Sequence, residues 1–126
     1  MRKSLVDSCG WAEYFTDATN AGFFAPAIED VESLIVPTIC ILEVAKVVSK
    51  KLGDQAAAVA TSAMCRGSVV DLDTDIAIMA ADLGVRYKLP LADSVIYATA
   101  RVHDATVWTQ DRHFTGLDQV KYVEKG

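Results

Sequence analysis

LPLADSVIYATARVHDATVWTQD, residues 89–111, decides the fold. Pro90 opens a helical pattern over 91–103, and TVWT (106–109) is a short β-branched and aromatic run that reads as a strand. A helix followed at once by a strand is the repeating unit of a parallel sheet. Four other runs have the same character: SLVD (4–7), LIVP (34–37), SVVDL (68–72) and VKYV (120–123). They are nearly continuous rather than alternating, which predicts strands buried on both faces. Helical patterns fill the gaps at 10–16, 21–32, 38–52, 54–66 and 74–84. Thr38 and Asp54 read as helix starts, and Gly53 and Gly84 as stops. The order β-α-α-β-α-α-β-α-α-β-α-β predicts an α/β fold with a central parallel sheet of about five strands and helices on both faces.

Composition bounds the rest. A chain of 126 residues with an apolar fraction of 52% fits one domain, 1–126, with a substantial core. It contains no linker, repeat or low-complexity tract. No apolar stretch reaches the roughly 18 residues of a membrane span. The start, MRKSLVDSCGW, turns acidic too soon for a signal peptide, so the expected location is cytoplasmic. Cys9, Cys40 and Cys65 form no CxxC pair and no Cys/His zinc spacing with His103 or His113. The net charge of −5 argues against a protein that holds nucleic acid by bulk positive charge, although a local basic rim would still suffice for a nuclease.

Four acids interrupt apolar surroundings. Asp7 ends SLVD, Glu43 breaks ICILEVAKVV, Asp93 lies in LPLADSVIYATA, and Asp111 follows TVWTQ. A buried carboxylate is costly unless it is paired or binds metal. In a parallel sheet, ligands bind at the carboxyl ends of strands where strand order reverses. If the first and fourth strands are neighbours, Asp7 and Asp111 share one edge, and helices 38–52 and 91–103 bring Glu43 and Asp93 toward it. Four carboxylates there repel one another unless a cation sits among them. Oxygen-only ligation favours Mg²⁺ or Mn²⁺ over zinc. The chemistry expected is metal-dependent phosphoryl transfer.

An early VDS followed by Trp11, a mid-chain glutamate in a helix, then LxLADSVIYATA and WTQDRHF together resemble the PIN domain, and most closely the VapC-type toxins of bacterial toxin–antitoxin pairs. The resemblance runs from Val6 to Val123 and is most specific between Pro90 and Phe114. It implies a PIN-like α/β/α sandwich and an Mg²⁺- or Mn²⁺-dependent endoribonuclease that hydrolyses RNA phosphodiesters. Asp7, Glu43, Asp93 and Asp111 would be its site acids, with Asp7 and Asp93 as direct ligands. Glu43 and Asp111 would serve a second ion or orient metal-bound water. Thr109 matches a family hydroxyl expected to bond the last acid or a metal water, and Ser8 would have a supporting role. The resemblance also implies a homodimer held silent by a cognate antitoxin. The alternatives are a PIN-domain RNA-processing nuclease without a toxin role, and a catalytically idle PIN module that only binds.

Phosphate contacts are sought among Lys46 and Lys50, which share a helical face with Glu43, and Arg101 and Arg112. Each can equally be a solvated surface cation. The denser cluster Asp71, Asp73 and Asp75 imitates two ligand motifs. An EF-hand loop needs Gly where Ile76 stands, and an aspartyl-phosphatase loop needs Thr or Val where Asp75 stands. It is expected to be a turn and helix cap, with Asp73 or Thr74 capping. A different phosphohydrolase centred on Asp71 and Asp73 is the third reading. His103 and His113 have no paired nucleophile, so no triad is assigned.

Overall fold

The computed structural model describes residues 2–126. Five strands form one sheet: β1 (Lys3–Val6), β2 (Leu34–Pro37), β3 (Ser68–Val70), β4 (Ala105–Thr109) and β5 (Val120–Tyr122). Their order is β3-β2-β1-β4-β5, and every pairing is parallel. The chain therefore lays β2 and β3 to one side of β1 and returns to lay β4 and β5 on the other. The reversal falls between β1 and β4, where Leu5 faces Val107 and Val6 faces Trp108. This is the switch point at which parallel sheets place ligands.

Six helices provide the crossovers: α1 (Ser8–Phe15), α2 (Ala21–Glu29), α3 (Thr38–Leu52), α4 (Asp54–Met64), α5 (Thr74–Tyr87) and α6 (Leu91–Val102). Leu5, Val6, Leu34, Ile35, Val36 and Val107 from the three inner strands form the centre of the core. Trp11, Phe24, Val44, Met64, Ile96 and Tyr97 pack onto them from the helices. In α6 every residue from Asp93 to Ala100 is buried. A helix apolar on all sides belongs in the interior, and burying this one carries Asp93 in with it.

The five-stranded parallel sheet agrees with the sequence reading, and several details do not. β3 lies at an edge with Ser68 and Val69 exposed, so it is not buried on both faces as SVVDL suggested. The last connection, from β4 to β5, contains only a single 3₁₀ turn (Arg112–Phe114) in place of the helix expected there. The pattern at 21–32 is split, with α2 ending at Glu29 and a 3₁₀ turn following at Val31–Ser33.

Thr38 and Asp54 are not caps. Pro37 and Gly53 occupy those positions without a side-chain bond, and Asp54 instead accepts from the Ser49 hydroxyl at 2.5 Å. Gly84 does not stop α5, which runs to Tyr87 and closes on Lys88 in the left-handed region. A Cβ at Gly84 would lie 2.5 Å from the Ser94 hydroxyl. The glycine there serves the close approach of α5 to α6 rather than a helix end.

Candidate active site

The site begins where β1 ends. Asp7 follows Val6 directly and caps α1, its Oδ1 accepting the Gly10 amide at 3.1 Å. Ser/Thr/Asp/Asn caps satisfy amides that a helix start leaves free, so Asp7 has a local structural task. It also has more partners than a cap needs. The Cys9 thiol donates to Oδ1 at 2.8 Å and the Thr109 hydroxyl donates to Oδ2 at 2.5 Å. Asp7 is only 3% exposed. Burial pushes its carboxyl from 3.8 up to about 6, against the lowering effect of those three hydrogen bonds.

Gly10 is required for this arrangement. A Cβ there would lie 2.6 Å from both the Phe24 ring and the Val6 side chain. Only glycine lets α1 sit close enough to β1 to present its amide to Asp7.

β4 supplies the facing edge. Thr109 ends the strand fully buried, and its hydroxyl works in two directions. It donates to Asp7 and accepts the Asp111 amide at 2.8 Å. The sequence expectation for Thr109 is a bond to the last acid or a metal water: its hydroxyl meets the last acid at the backbone amide, and it also bonds the first acid's carboxylate. Side chains on adjacent strand ends can meet in this way because β1 and β4 pair in register.

Asp111 caps the 3₁₀ turn, accepting the His113 amide at 2.9 Å and lying 2.8 Å from His113 Nδ1. The same Nδ1 is 3.4 Å from Asp93 Oδ2. Asp93 and Asp111 offer carboxylate oxygens within 4.8 Å of each other, and two carboxyls this close titrate as a pair. Burial first, then Asp111 as bond partner and charge, then Asp7 and Glu43, push Asp93 from 3.8 up to about 8. Burial also acts to raise Asp111. The His113 amide, the Asp93 proton and the His113 ring outweigh it and hold Asp111 below its ordinary value.

Glu43 stands on α3 and accepts the Ser8 hydroxyl at 2.6 Å. This ties the residue after the first acid to the second acid. The four predicted acids thus converge electrically, but not into one equidistant set. Among the described residues the tight cluster is Asp93, Asp111 and His113, whose candidate ligand atoms all lie within 4.8 Å of one another. Asp7 is braced by Thr109 and Cys9, and Glu43 by Ser8.

A cleft of about 920 Å³ opens beside these residues, lined among others by Cys9, Gln110, Asp111, Arg112, His113 and Lys125. Of the predicted phosphate contacts, Arg112 is at this cleft. Lys46 and Lys50 are exposed on α3, away from its lining. Arg101 is turned elsewhere: it donates to the Tyr97 hydroxyl at 2.9 Å and lies over the Tyr97 ring. Asp71, Asp73 and Asp75 are exposed, and Asp73 caps α5 through the Ile76 amide.

Cys9, Lys125 and His113 were not selected by sequence reasoning. His113 carried a signal in DRH: an Asp that caps a tight turn receives the amide two residues on and brings that residue's side chain over its own carboxylate.

Two carboxyls this close together, beside a third buried carboxyl at a sheet edge, fit a hard divalent cation. Asp93 and Asp111 are the residues placed to hold it, with Asp7 and Glu43 contributing charge. A parallel sheet with acids at its switch point defines the class of protein. The chain belongs to the PIN-domain family, whose model matches residues 4–120.

Solved structures agree with this fold. A chain of a toxin–antitoxin complex from Klebsiella pneumoniae is 25% identical, with a TM-score of 0.78 over 94% of this chain and 96% of that one. A chain of DNA-bound VapBC from Salmonella typhimurium has a TM-score of 0.78 at 18% identity, over 98% of each chain. VapC20 of Mycobacterium tuberculosis, a toxin that cleaves the sarcin–ricin loop, has a TM-score of 0.78 at 15% identity, over 92% of this chain and 95% of that one. The last two likenesses concern the fold. No curated protein matches the chain. Among the described residues no helix is long and apolar enough to cross a membrane.

Proposed function

We propose that this chain is a divalent-cation-dependent endoribonuclease, the toxin of a toxin–antitoxin pair, with one PIN domain spanning residues 1–126. The observation that carries the reading is the Asp93–Asp111 pair, whose carboxylate oxygens lie within 4.8 Å of each other beside the β1/β4 switch point. Such a pair suits a site that receives a cation, because two ionised carboxylates repel each other without one. A bound Mg²⁺ or Mn²⁺ supplies positive charge for the phosphodiester and lowers the pKa of water.

The chain's own residues supply placement. Thr109 and the Gly10 amide hold the Asp7 carboxylate in one orientation. Ser8 holds Glu43, and the turn amide of His113 holds Asp111. Arg112 and Lys125 at the cleft are positioned to meet phosphate, and they replace Lys46, Lys50 and Arg101 as the favoured contacts. Likeness to a chain of a toxin–antitoxin complex supports a protein antitoxin as the partner. The proposed active form is a homodimer in the cytoplasm.

The test is cleavage of single-stranded RNA by purified protein with Mg²⁺ or Mn²⁺, and its loss in chelator and in Asp7→Asn, Asp93→Asn and Asp111→Asn. Full cleavage by Asp93→Asn, or in chelator, refutes the site. Growth arrest on expression, relieved by Asp7→Ala, tests the toxin role. Arrest that persists in that variant refutes nuclease action as its cause.

A further inference from the structure

The acids alone suggest an all-oxygen cation site, but the structure places a nitrogen in it. His113 Nδ1 lies 2.8 Å from Asp111 Oδ1 and 3.4 Å from Asp93 Oδ2. Two adjacent ligands of an octahedral ion, each about 2.1 Å from it, are about 3 Å apart. The two observed separations bracket that value. The ring is 55% exposed and lies at the rim of the cleft, so it has room to adjust. Its position is set by the backbone: the 3₁₀ turn that Asp111 caps returns residue 113 over the carboxylate.

We propose that His113 is a nitrogen ligand of the cation site formed by Asp93 and Asp111, and that it shifts the site's preference from Mg²⁺ toward transition ions. The inference rests on the cation-site reading above. Imidazole is a stronger ligand for later first-row ions than for Mg²⁺, which prefers carboxylate and water. To bind the ion, the ring takes the tautomer with its proton on Nε2, so that Nδ1 gives up the N–H it can donate to Asp111 and offers its lone pair to the ion. Mixed oxygen and nitrogen ligation separates this site from one built of carboxylates only.

A bland role competes with it: the ring could simply donate to Asp111 and orient it. The two roles differ in what a variant does to ion preference. Binding of Mg²⁺ and of Co²⁺, each alone, is measured by calorimetry on wild type, His113→Ala and His113→Gln, with the Co²⁺ visible spectrum recorded. His113→Gln keeps a hydrogen-bond donor but no imidazole. Both variants retain the backbone amide that holds Asp111, and the side chain is exposed, so the fold is preserved.

The proposal expects Co²⁺ affinity to fall roughly tenfold or more in both variants, Mg²⁺ affinity to change much less, and the Co²⁺ spectrum to shift. Equal losses for the two ions, or wild-type Co²⁺ binding and spectrum in His113→Gln, overturn it in favour of positioning. Failure of wild type to bind either ion overturns the cation site itself, and this inference with it.

Discussion

Replacing Asp93 with Asn should make the metal-free protein more stable while removing its activity. The wild-type carboxyl is pushed from 3.8 up to about 8 by burial, by Asp111, and by Asp7 and Glu43. Proton affinity converts to free energy at about 1.4 kcal/mol per tenfold. At pH 7 that difference corresponds to about 4 kcal/mol before screening. The site opens onto a solvent-filled cleft, so about half of this, roughly 2 kcal/mol, is a fair expectation.

The direction follows from linkage. A carboxyl that holds its proton more tightly when folded gives stability that is complete below about pH 4 and lost as pH rises toward 8. Asparagine does not ionise, and its amide can donate to Asp111 as the Asp93 proton does. The variant should therefore melt close to wild type near pH 4 and above it at pH 7. The expected gap at pH 7 is about 6 °C, at about 3 °C per kcal/mol for a chain of this size. The assay is thermal unfolding by circular dichroism in chelator across that pH range, then with Mn²⁺ added, which should raise the melting temperature of wild type more than that of the variant. A variant no more stable than wild type at pH 7, or a gap that does not depend on pH, refutes the electrostatic account.

Thr109→Val keeps the shape but leaves Asp7 Oδ2 and the Asp111 amide without their partner, so it should lose about 1–3 kcal/mol in urea unfolding. Thr109→Ser should retain most of that stability, and equal losses in the two variants would discount the hydroxyl. Gly10→Ala should lose about 1–3 kcal/mol by overpacking against Phe24 and Val6. A wild-type melting temperature in that variant would show that α1 has space to move outward. Asp73→Ala should cost about 1 kcal/mol as a lost helix cap, with ion binding by calorimetry unchanged. Weakened ion binding there, or in Asp71→Ala, would return the 71–75 cluster to consideration.

The sheet was legible because β1, β2 and β4 lie in its interior, and interior parallel strands need nearly unbroken apolar runs. β3 misled because three residues at an edge need little apolar character, and the run SVVDL extends past where pairing stops. Gly84 misled because glycine permits either a helix end or a close helix contact, and sequence does not show Ser94 on the other side. The acids were legible since each breaks an apolar pattern, although Asp7 and Asp111 also serve as local caps. Their grouping was not. The Asp93–Asp111 pair depends on α6 being buried along β4, and the Thr109–Asp7 bond on strand order. Arg101 shows the limit most clearly: it stands two turns after Asp93 on α6, yet Tyr97 engages it.

The bond between Thr109 and Asp7 joins residues 102 positions apart. During synthesis at about 5–20 residues per second, Asp7 emerges some 5–20 seconds before its partner exists. In that interval β1 lacks β4, the cap of α1 is half braced, and neither Asp111 nor the turn that carries His113 has been made. The site is therefore among the last things the chain assembles. A translation product that stops short of β4 can form the first βααβ units but not the acidic centre, which ties completion of the site to near-completion of the polypeptide.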